Sequence, residues 1–277
     1  MKTFKILLLA LLGFSLVSCA SAQTNKRKPT KKSESKNTKP MNENPILGEV
    51  KIIAEGFYES LETPFIYVAR SAETYAQLQK IVAQLTTPAS EIDFTRTAVV
   101  AAFAGTKNTG GYSVAVKKAA DKIRIDVVEP PKDAMTTDAL TTPFSVALVQ
   151  VEEGKSLPLE VAANWKNAMQ TYKTTSGKFE TSGVRVKKFD AAGTIGILTF
   201  GDYITLFFNL SGKGADKNWR LTDAVSGVIK DSRIDLSPLK ASGTLSNNKL
   251  SLSFESLPSG AADKFQTRGK VEAVKVR

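Results

Sequence analysis

The chain has 277 residues, with 38 Lys and Arg, 27 Asp and Glu, no His and a single Cys. Without His there is no Ser-His-Asp triad and no imidazole metal ligand, and one Cys excludes an internal disulfide or a multi-thiolate metal site. The length fits one large or two ordinary domains, and an apolar content of 42% suffices for packed cores. Seven of the eleven net positive charges lie in residues 1–48, so the remainder is mildly basic and a nucleic-acid partner is not expected.

The first residues have the pattern of a secretory signal. Two Lys precede an apolar run over 6–17, which as a helix is about 18 Å long and too short for the hydrocarbon core of a bilayer. The four residues 16–19, Leu-Val-Ser-Cys, resemble the lipobox of bacterial lipoproteins, in which the Cys is lipidated and becomes the first mature residue. We predict a lipoprotein signal peptide over 1–18 and lipidation at Cys19. An ordinary secretory signal cleaved shortly after this Cys is the alternative.

Lipidation determines the chemistry of the thiol and the location of the protein. A thioether leaves Cys19 without redox or nucleophilic function, and several acyl chains hold the protein at the membrane. Ala20 stands where Asp retains lipoproteins at the inner membrane in enterobacterial-type sorting. We therefore expect a bacterial cell envelope, with the protein anchored in the outer membrane and facing the periplasm. Residues 19–48 are rich in Lys, Ser, Thr, Asn and Pro and predict a disordered basic tether.

Residues 49–163 predict a first, α+β domain in which one helix packs on a β-sheet. Strands are indicated at 49–54 and 64–69, and the following segment has apolar residues at helical spacing with Ser71 as its N-cap. The run 97–104 is apolar throughout, which indicates a central strand buried on both faces. Further strands are predicted at 114–116, 122–128 and 144–151.

Two connections of this domain have unusual compositions. The segment 129–142 begins Glu-Pro-Pro-Lys and is polar, so it predicts an exposed loop, since Pro gives no donor to a strand ladder. The other follows the central strand, and its Gly110-Gly111 pair permits positive φ or close approach of another segment. Either it is a simple hairpin turn, or it is a loop that presents Lys107 and Tyr112 to a partner. The residues assigned to this partner-binding loop are Lys107, Asn108, Thr109, Gly110, Gly111, Tyr112 and Ser113.

The order of these features resembles the C-terminal domain of the protease complex subunit PrcB family. The resemblance covers about residues 60–152 and depends most on the Thr-Gly-Gly-Tyr core of the loop. Asp93, the central strand, the strand end at Glu129 and the Thr-Thr-Pro-Phe segment 141–144 add to it. The family comprises bacterial lipoproteins and exported proteins and is named for a subunit thought to assemble with and stabilise a secreted serine protease. It has no assigned catalytic residues, so the resemblance implies a binding role.

The same loop is similar, more faintly, to the Thr-Thr-Gly-Tyr loop of the chagasin-type cysteine protease inhibitors, which are also β proteins. Thr109, one of the two Gly residues and Tyr112 match. This likeness implies an alternative in which the loop 109–113 enters and blocks a protease cleft. A phosphate-binding loop is excluded, because no Gly-Lys-Ser or Gly-Lys-Thr opens a helix here.

Residues 164–277 predict a second domain that is an antiparallel β-barrel or sandwich. Trp165 and Tyr172 lie at helix-like spacing and indicate a short helical bridge, and the Lys-Thr-Thr-Ser-Gly stretch 173–177 is interpreted as a boundary segment. Seven or eight alternating runs follow, and Asn247-Asn248 between two of them suits a tight turn. Such a barrel is packed solid or holds a small hydrophobic ligand, and the sequence leaves both open.

The sequence thus predicts a mainly β, non-catalytic lipoprotein. We expect membrane attachment through the lipid on Cys19, a protein partner such as an exported protease, no nucleic acid, no metal and no cofactor. We expect no enzyme activity, since no cluster of carboxylates suggests a hydrolase. The partner is expected to bind the sheet edges and the loop 107–113, around Gly110 to Tyr112, by strand addition or aromatic docking. The alternatives are a protease inhibitor that uses the loop 109–113 and a carrier of a lipid or small hydrophobe in the barrel.

Overall fold

The structure is a computed structural model that describes residues 47–57, 61–151, 155–181, 187–213, 218–237, 240–257 and 267–276. The predicted signal peptide, Cys19 and the tether as far as residue 46 lie outside the described residues. All described residues belong to one compact unit, Lys39–Arg277. Within them, neither helix combines the length and apolarity needed to cross a bilayer.

Strands dominate the described chain, and the mainly β prediction is confirmed. The first part comprises β1 (Leu47–Phe57), β2 (Phe65–Ala69), α1 (Ala72–Ile81), a 3-10 turn (Ala89–Glu91), β3 (Thr97–Phe103), β4 (Ser113–Ala119), β5 (Lys122–Val128), β6 (Pro143–Val151), β7 (Leu159–Val161) and α2 (Ala163–Ala168). The second part comprises β8 (Gln170–Thr181), β9 (Lys187–Phe200), β10 (Tyr203–Lys213), β11 (Asn218–Lys230), β12 (Arg233–Leu236), β13 (Ala241–Ser246), β14 (Lys249–Leu257) and β15 (Thr267–Lys275).

The first part contains two sheets and the predicted helix. A four-stranded sheet has the order β1-β6-β3-β2, and a three-stranded sheet has the order β4-β5-β7. Strand β3 lies inside the first sheet and is buried from Ala98 to Phe103, as its apolar run predicts. Helix α1 begins at the predicted cap: the Ser71 hydroxyl accepts from the Thr74 N–H at 3.2 Å, and the Thr74 hydroxyl accepts from the Ser71 N–H at 3.1 Å. The helix buries Tyr75 and Leu78 in the core of this part.

The second part is a closed barrel of eight antiparallel strands, which settles the choice between barrel and sandwich. Strands β8 to β15 pair in chain order, and β15 returns to pair with β8. Along β10, the alternate residues Ile204, Leu206 and Phe208 are buried inside the barrel. The inward-facing residues of the described strands form one apolar cluster of side chains. The predicted turn at Asn247 is present, and its φ of +48° is one that Asn tolerates.

The prediction for the start of the barrel is wrong in two respects. The helical bridge ends at Ala168, and Tyr172 points into the barrel from β8 instead of continuing the helix. The stretch 173–177, interpreted as a boundary, lies within β8. The Gly that suggested a boundary is required for packing, because a Cβ on Gly177 would collide with the carbonyl oxygen of Ala191 on β9.

One edge of the four-stranded sheet is covered by the barrel. The Ser226 hydroxyl accepts from the Val68 N–H at 2.7 Å, and the Thr205 hydroxyl donates to the carbonyl oxygen of Ile66. The two hydroxyls are 2.7 Å apart. Side chains of β10 and β11 thus satisfy two backbone groups on the outer side of β2, which would otherwise be open to strand pairing. The opposite edge strand of this sheet is β1.

Candidate protein-binding loops

The predicted binding loop connects the two sheets, so the hairpin interpretation is wrong. Strand β3 pairs with β2 and β6, whereas β4 pairs with β5. The connection between β3 and β4, residues 104–112, is here called the glycine loop. The connection between β5 and β6, residues 129–142, is the proline loop, and most of its residues are exposed, as predicted. These two crossings run side by side.

The glycine loop begins with a sharp change of direction at Gly105. This residue has a φ of +72°, and a Cβ there would lie 2.8 Å from the carbonyl oxygen of Glu62. The same carbonyl accepts from the Thr106 N–H at 2.9 Å. Only Gly combines this dihedral with so close a neighbour, so the sequence turns the chain out of the sheet at this point.

Four hydrogen bonds join the glycine loop to the proline loop. The Lys107 N–H donates to the Thr141 carbonyl at 2.7 Å, and the Thr141 N–H donates back at 3.0 Å. The Thr141 hydroxyl donates to the Thr109 carbonyl at 2.9 Å, and the Gly110 N–H donates to the Thr137 carbonyl at 2.9 Å. A loop held in this way has lost much of its conformational entropy before any partner arrives.

The two central glycines permit this contact. Gly110 is buried, and a Cβ on it would collide with the Thr137 hydroxyl. Gly111 has a φ of +82°, and a Cβ on it would lie 2.9 Å from that of Pro130. The Gly-Gly pair is therefore needed for the close approach of the proline loop, one of the two possibilities that its composition suggests.

Lys107 and Tyr112 meet at the surface of the loop. The Lys107 ammonium lies 5.8 Å from the centroid of the Tyr112 ring, within the range of a cation–π interaction. Both residues are half-buried, as is Thr109, whereas Asn108 and Ser113 are exposed. The structure thus brings together a cation and an aromatic face at the surface of the loop.

Residues 98–150 match the family model described as PrcB C-terminal. The predicted resemblance is confirmed over these residues. The match contains both loops in full and leaves out the barrel strands. No curated protein and no solved structure matches the chain.

Sequence reasoning predicted that the proline loop is exposed, but it missed two apolar side chains that this loop exposes. Met135 and Leu140 are 99% and 74% exposed, although both are apolar. Each lies within a few residues of a hydrogen bond to the glycine loop. Both side chains therefore project from a segment that these hydrogen bonds hold in place. The signal was two apolar residues within an otherwise polar loop. The predicted site therefore gains a second, apolar component.

In the part of the chain that the structure describes, no three His, Cys, Asp or Glu side chains come together as ligands for a metal ion. The groups that the loops present are the exposed charged side chains of the proline loop, the Lys107–Tyr112 pair and the apolar side chains of Met135 and Leu140. Such groups are suited to contact with another macromolecule.

Gly111→Ala is expected to lower the free energy of unfolding by about 2–3 kcal/mol, because Ala is strained at positive φ and its methyl meets Pro130. Gly201→Ala is the control, since Gly201 has a φ of +54° and no atom lies within 4 Å of a Cβ there. The control is expected to cost about 1 kcal/mol. Urea denaturation measures both. Equal losses would mean that the proline loop gives way freely and does not brace the glycine loop.

Proposed function

We propose that this protein is a non-catalytic lipoprotein that binds and stabilises an exported protein, with a secreted protease as the favoured partner class. The observation that carries the proposal is the pair of braced loops, which lies wholly within the PrcB-like segment. The Lys107–Tyr112 pair and the tips Met135 and Leu140 form the proposed contact surface.

The bracing favours tight binding for a physical reason. Association costs free energy when side chains and loops become ordered at an interface. The four hydrogen bonds between the loops have already met part of that cost. An aromatic ring and two apolar tips add contact area, which is the usual composition of an interface hot spot with its apolar surroundings.

The proposed surface is tested with the detergent-extracted full chain and secreted serine proteases taken one at a time. We expect binding to at least one, a longer half-life of that protease and unchanged turnover. Tyr112→Ala is expected to weaken binding roughly 30-fold, the scale of a hot-spot Tyr. Phe57→Ala is the control, since Phe57 is 52% exposed on the edge strand β1. It is expected to have little effect.

The same measurements separate the alternatives. Turnover that falls with added protein and recovers in Tyr112→Ala would identify an inhibitor and contradict the scaffold. Loss of binding in Phe57→Ala but not in Tyr112→Ala would show that the partner binds the β1 edge and not the glycine loop. Failure to bind any protease tested would contradict the favoured partner class.

The proposed anchor is a lipid on Cys19, and the Ala20 that follows it favours the outer membrane, facing the periplasm. Cys19→Ser is expected to move the protein from the membrane fraction to the soluble fraction, because the thiol to which the lipid would be attached as a thioether is absent. Fractionation followed by immunoblotting measures this. A variant that stays with the membrane would refute lipidation. Ala20→Ser leaves the Cys in place and is the control.

A further inference from the structure

A groove on the barrel has an unbalanced charge that the proposed function does not use. It has a volume of about 730 Å³ and is formed by β9, β8, β15 and β14, which are consecutive neighbours around the barrel. Four cationic and two acidic residues line it. These are Lys178, Lys188, Arg268, Lys270, Glu180 and Asp190, and together they are called the barrel groove.

The strand register places two of these cations directly opposite each other. Lys178 on β8 pairs with Lys270 on β15. Side chains of directly opposed residues in neighbouring antiparallel strands begin only about 5 Å apart, and like charges there are destabilising. On its other side, Lys178 is opposite Asp190 of β9, but the two form no ion pair in the described structure.

Two acidic residues nearby already form ion pairs with cations of the groove, one of them with Lys270 itself. Arg268 donates to Glu180 at 2.8 Å, and Lys270 forms an ion pair with Glu272 at 2.8 Å. Both contacts hold the pKa of these carboxyls below its usual value, so the two remain charged. Lys178 is exposed, and no described carboxylate lies within ion-pair distance of it.

We propose that the barrel groove binds an oxyanion of the phosphate type between Lys178 and Lys270. A doubly charged anion at that position gives Lys178 the counter-charge that it lacks and makes a second contact with Lys270, whose ammonium group is already paired with Glu272. Phosphate groups occur free and on lipid headgroups, and both present this chemistry. The site is independent of the glycine and proline loops.

Another like-charged pair in the described chain has the same local arrangement but lies outside the barrel groove. One of its two cations is paired with an acidic residue two positions along its own strand, as Lys270 is with Glu272. Lys117 on β4 is directly opposite Arg124 on β5. The Arg124 Nε lies 2.8 Å and 3.1 Å from the two carboxylate oxygens of Asp126, so that cation is neutralised by its neighbour. Lys117 is exposed and outside the barrel groove. It is therefore a matched control for removal of a single Lys charge.

The first experiment follows the thermal unfolding of the full chain in phosphate and in chloride at equal ionic strength. We expect phosphate to raise Tm beyond chloride, and Lys178→Gln to remove most of the difference. In chloride alone, Lys178→Gln is expected to leave Tm unchanged or higher, because the variant relieves the repulsion from Lys270. Lys117→Gln is expected to keep the full phosphate effect. A phosphate effect that survives in Lys178→Gln would overturn the proposal.

The second experiment measures affinity directly by titration of inorganic phosphate, followed by NMR. Lys178→Gln and Lys270→Gln are each expected to weaken binding about tenfold, since each removes a charged contact to the anion. The basic residues before residue 48 contribute equally to every variant, so the differences report the groove. Equal affinities for the two groove variants and Lys117→Gln would overturn the site, as would no binding at all.

Vesicles distinguish the two sources of the anion. Vesicles that contain phosphatidylglycerol are compared with vesicles of phosphatidylcholine alone. If binding to the anionic vesicles depends on Lys178 and Lys270, the ligand is a lipid headgroup. If only inorganic phosphate shows that dependence, the ligand is a free anion. Dependence with neither probe would overturn the proposal, while the proposed function at the loops would remain standing.

Discussion

Replacement of Asp223 by Ala is expected to lower the free energy of unfolding by about 3–5 kcal/mol, because it leaves a buried cation without its counter-charge. Asp223 is 3% exposed, and it forms an ion pair with Arg70, whose side chain is 14% exposed. The same Oδ1 atom accepts from the Leu157 N–H at 2.8 Å and from the Ala224 N–H at 2.9 Å. The variant leaves all three donors, the Arg70 guanidinium and the two backbone N–H groups, without their acceptor.

The charge itself is costly to bury, which makes a sharper test possible. Burial raises the pKa of Asp223, against the lowering effects of Arg70 and of the two backbone N–H groups. Removing both partners together in Arg70→Met/Asp223→Leu is therefore expected to cost less than Asp223→Ala alone. A double variant as unstable as the sum of the two single variants would contradict the ion-pair explanation.

The exposed ion pair between Lys122 and Glu160 is the control for this experiment. Its side chains are well exposed, so Glu160→Ala is expected to leave stability almost unchanged. Urea denaturation, followed separately by tryptophan fluorescence and by far-ultraviolet circular dichroism, measures all variants. Arg70 follows β2, and Asp223 lies on β11. We therefore expect the sheet and the barrel to weaken together in Asp223→Ala.

Trp165→Ala is expected to lower the free energy of unfolding by about 3–5 kcal/mol, through the loss of a large buried side chain. Trp165 is fully buried on α2, the helix between the last strand of the sheets and the first strand of the barrel. Its indole N–H also donates to the Phe103 carbonyl at 2.9 Å and lies 3.2 Å from the Phe65 carbonyl. It therefore secures the ends of β2 and β3.

Trp165→Phe separates packing from hydrogen bonding. Phe fills most of the space but leaves the two carbonyls without the indole donor, so we expect a loss of about 1–3 kcal/mol. Leu140→Ala removes an exposed apolar side chain of the proline loop and is expected to change stability very little. Losses of similar size for Trp165→Ala and Leu140→Ala would show that α2 is not part of the core.

The local sequence pattern correctly predicted two kinds of element. These are elements that are stabilised by contacts between residues close together in the chain, and strands that are buried along their whole length. The uninterrupted apolar run identified β3, the Ser71 cap identified the start of α1, and the Asn247 turn identified a hairpin. The rare combination of glycines, Tyr and Lys identified the glycine loop. In each case the residues that carry the signal are close together in the chain, and the physical requirement concerns only their own backbone or exposure.

The sequence alone was misleading where a residue is chosen for a distant neighbour. Gly177 indicated a boundary, but its small size serves a contact with Ala191 inside the barrel wall. The glycine pair was compatible with a hairpin, but Gly110 and Gly111 make room for a loop that follows them by about 20–30 residues. Nothing in the sequence around Thr137 or Thr141 specifies that contact.

By itself, the sequence determined the mainly β class, helix α1 and the strands β1 to β6 of the first part, the location of the glycine loop and its PrcB-like character. It missed β7 and the division of these strands into two sheets. Only the tertiary structure decided that the barrel closes, that β10 and β11 cover the edge of β2 and that Lys178 faces Lys270. The reason is that closure, edge pairing and register depend on contacts between residues far apart in the chain. Ser226 and Val68, for example, are separated by 158 positions and are joined by one hydrogen bond.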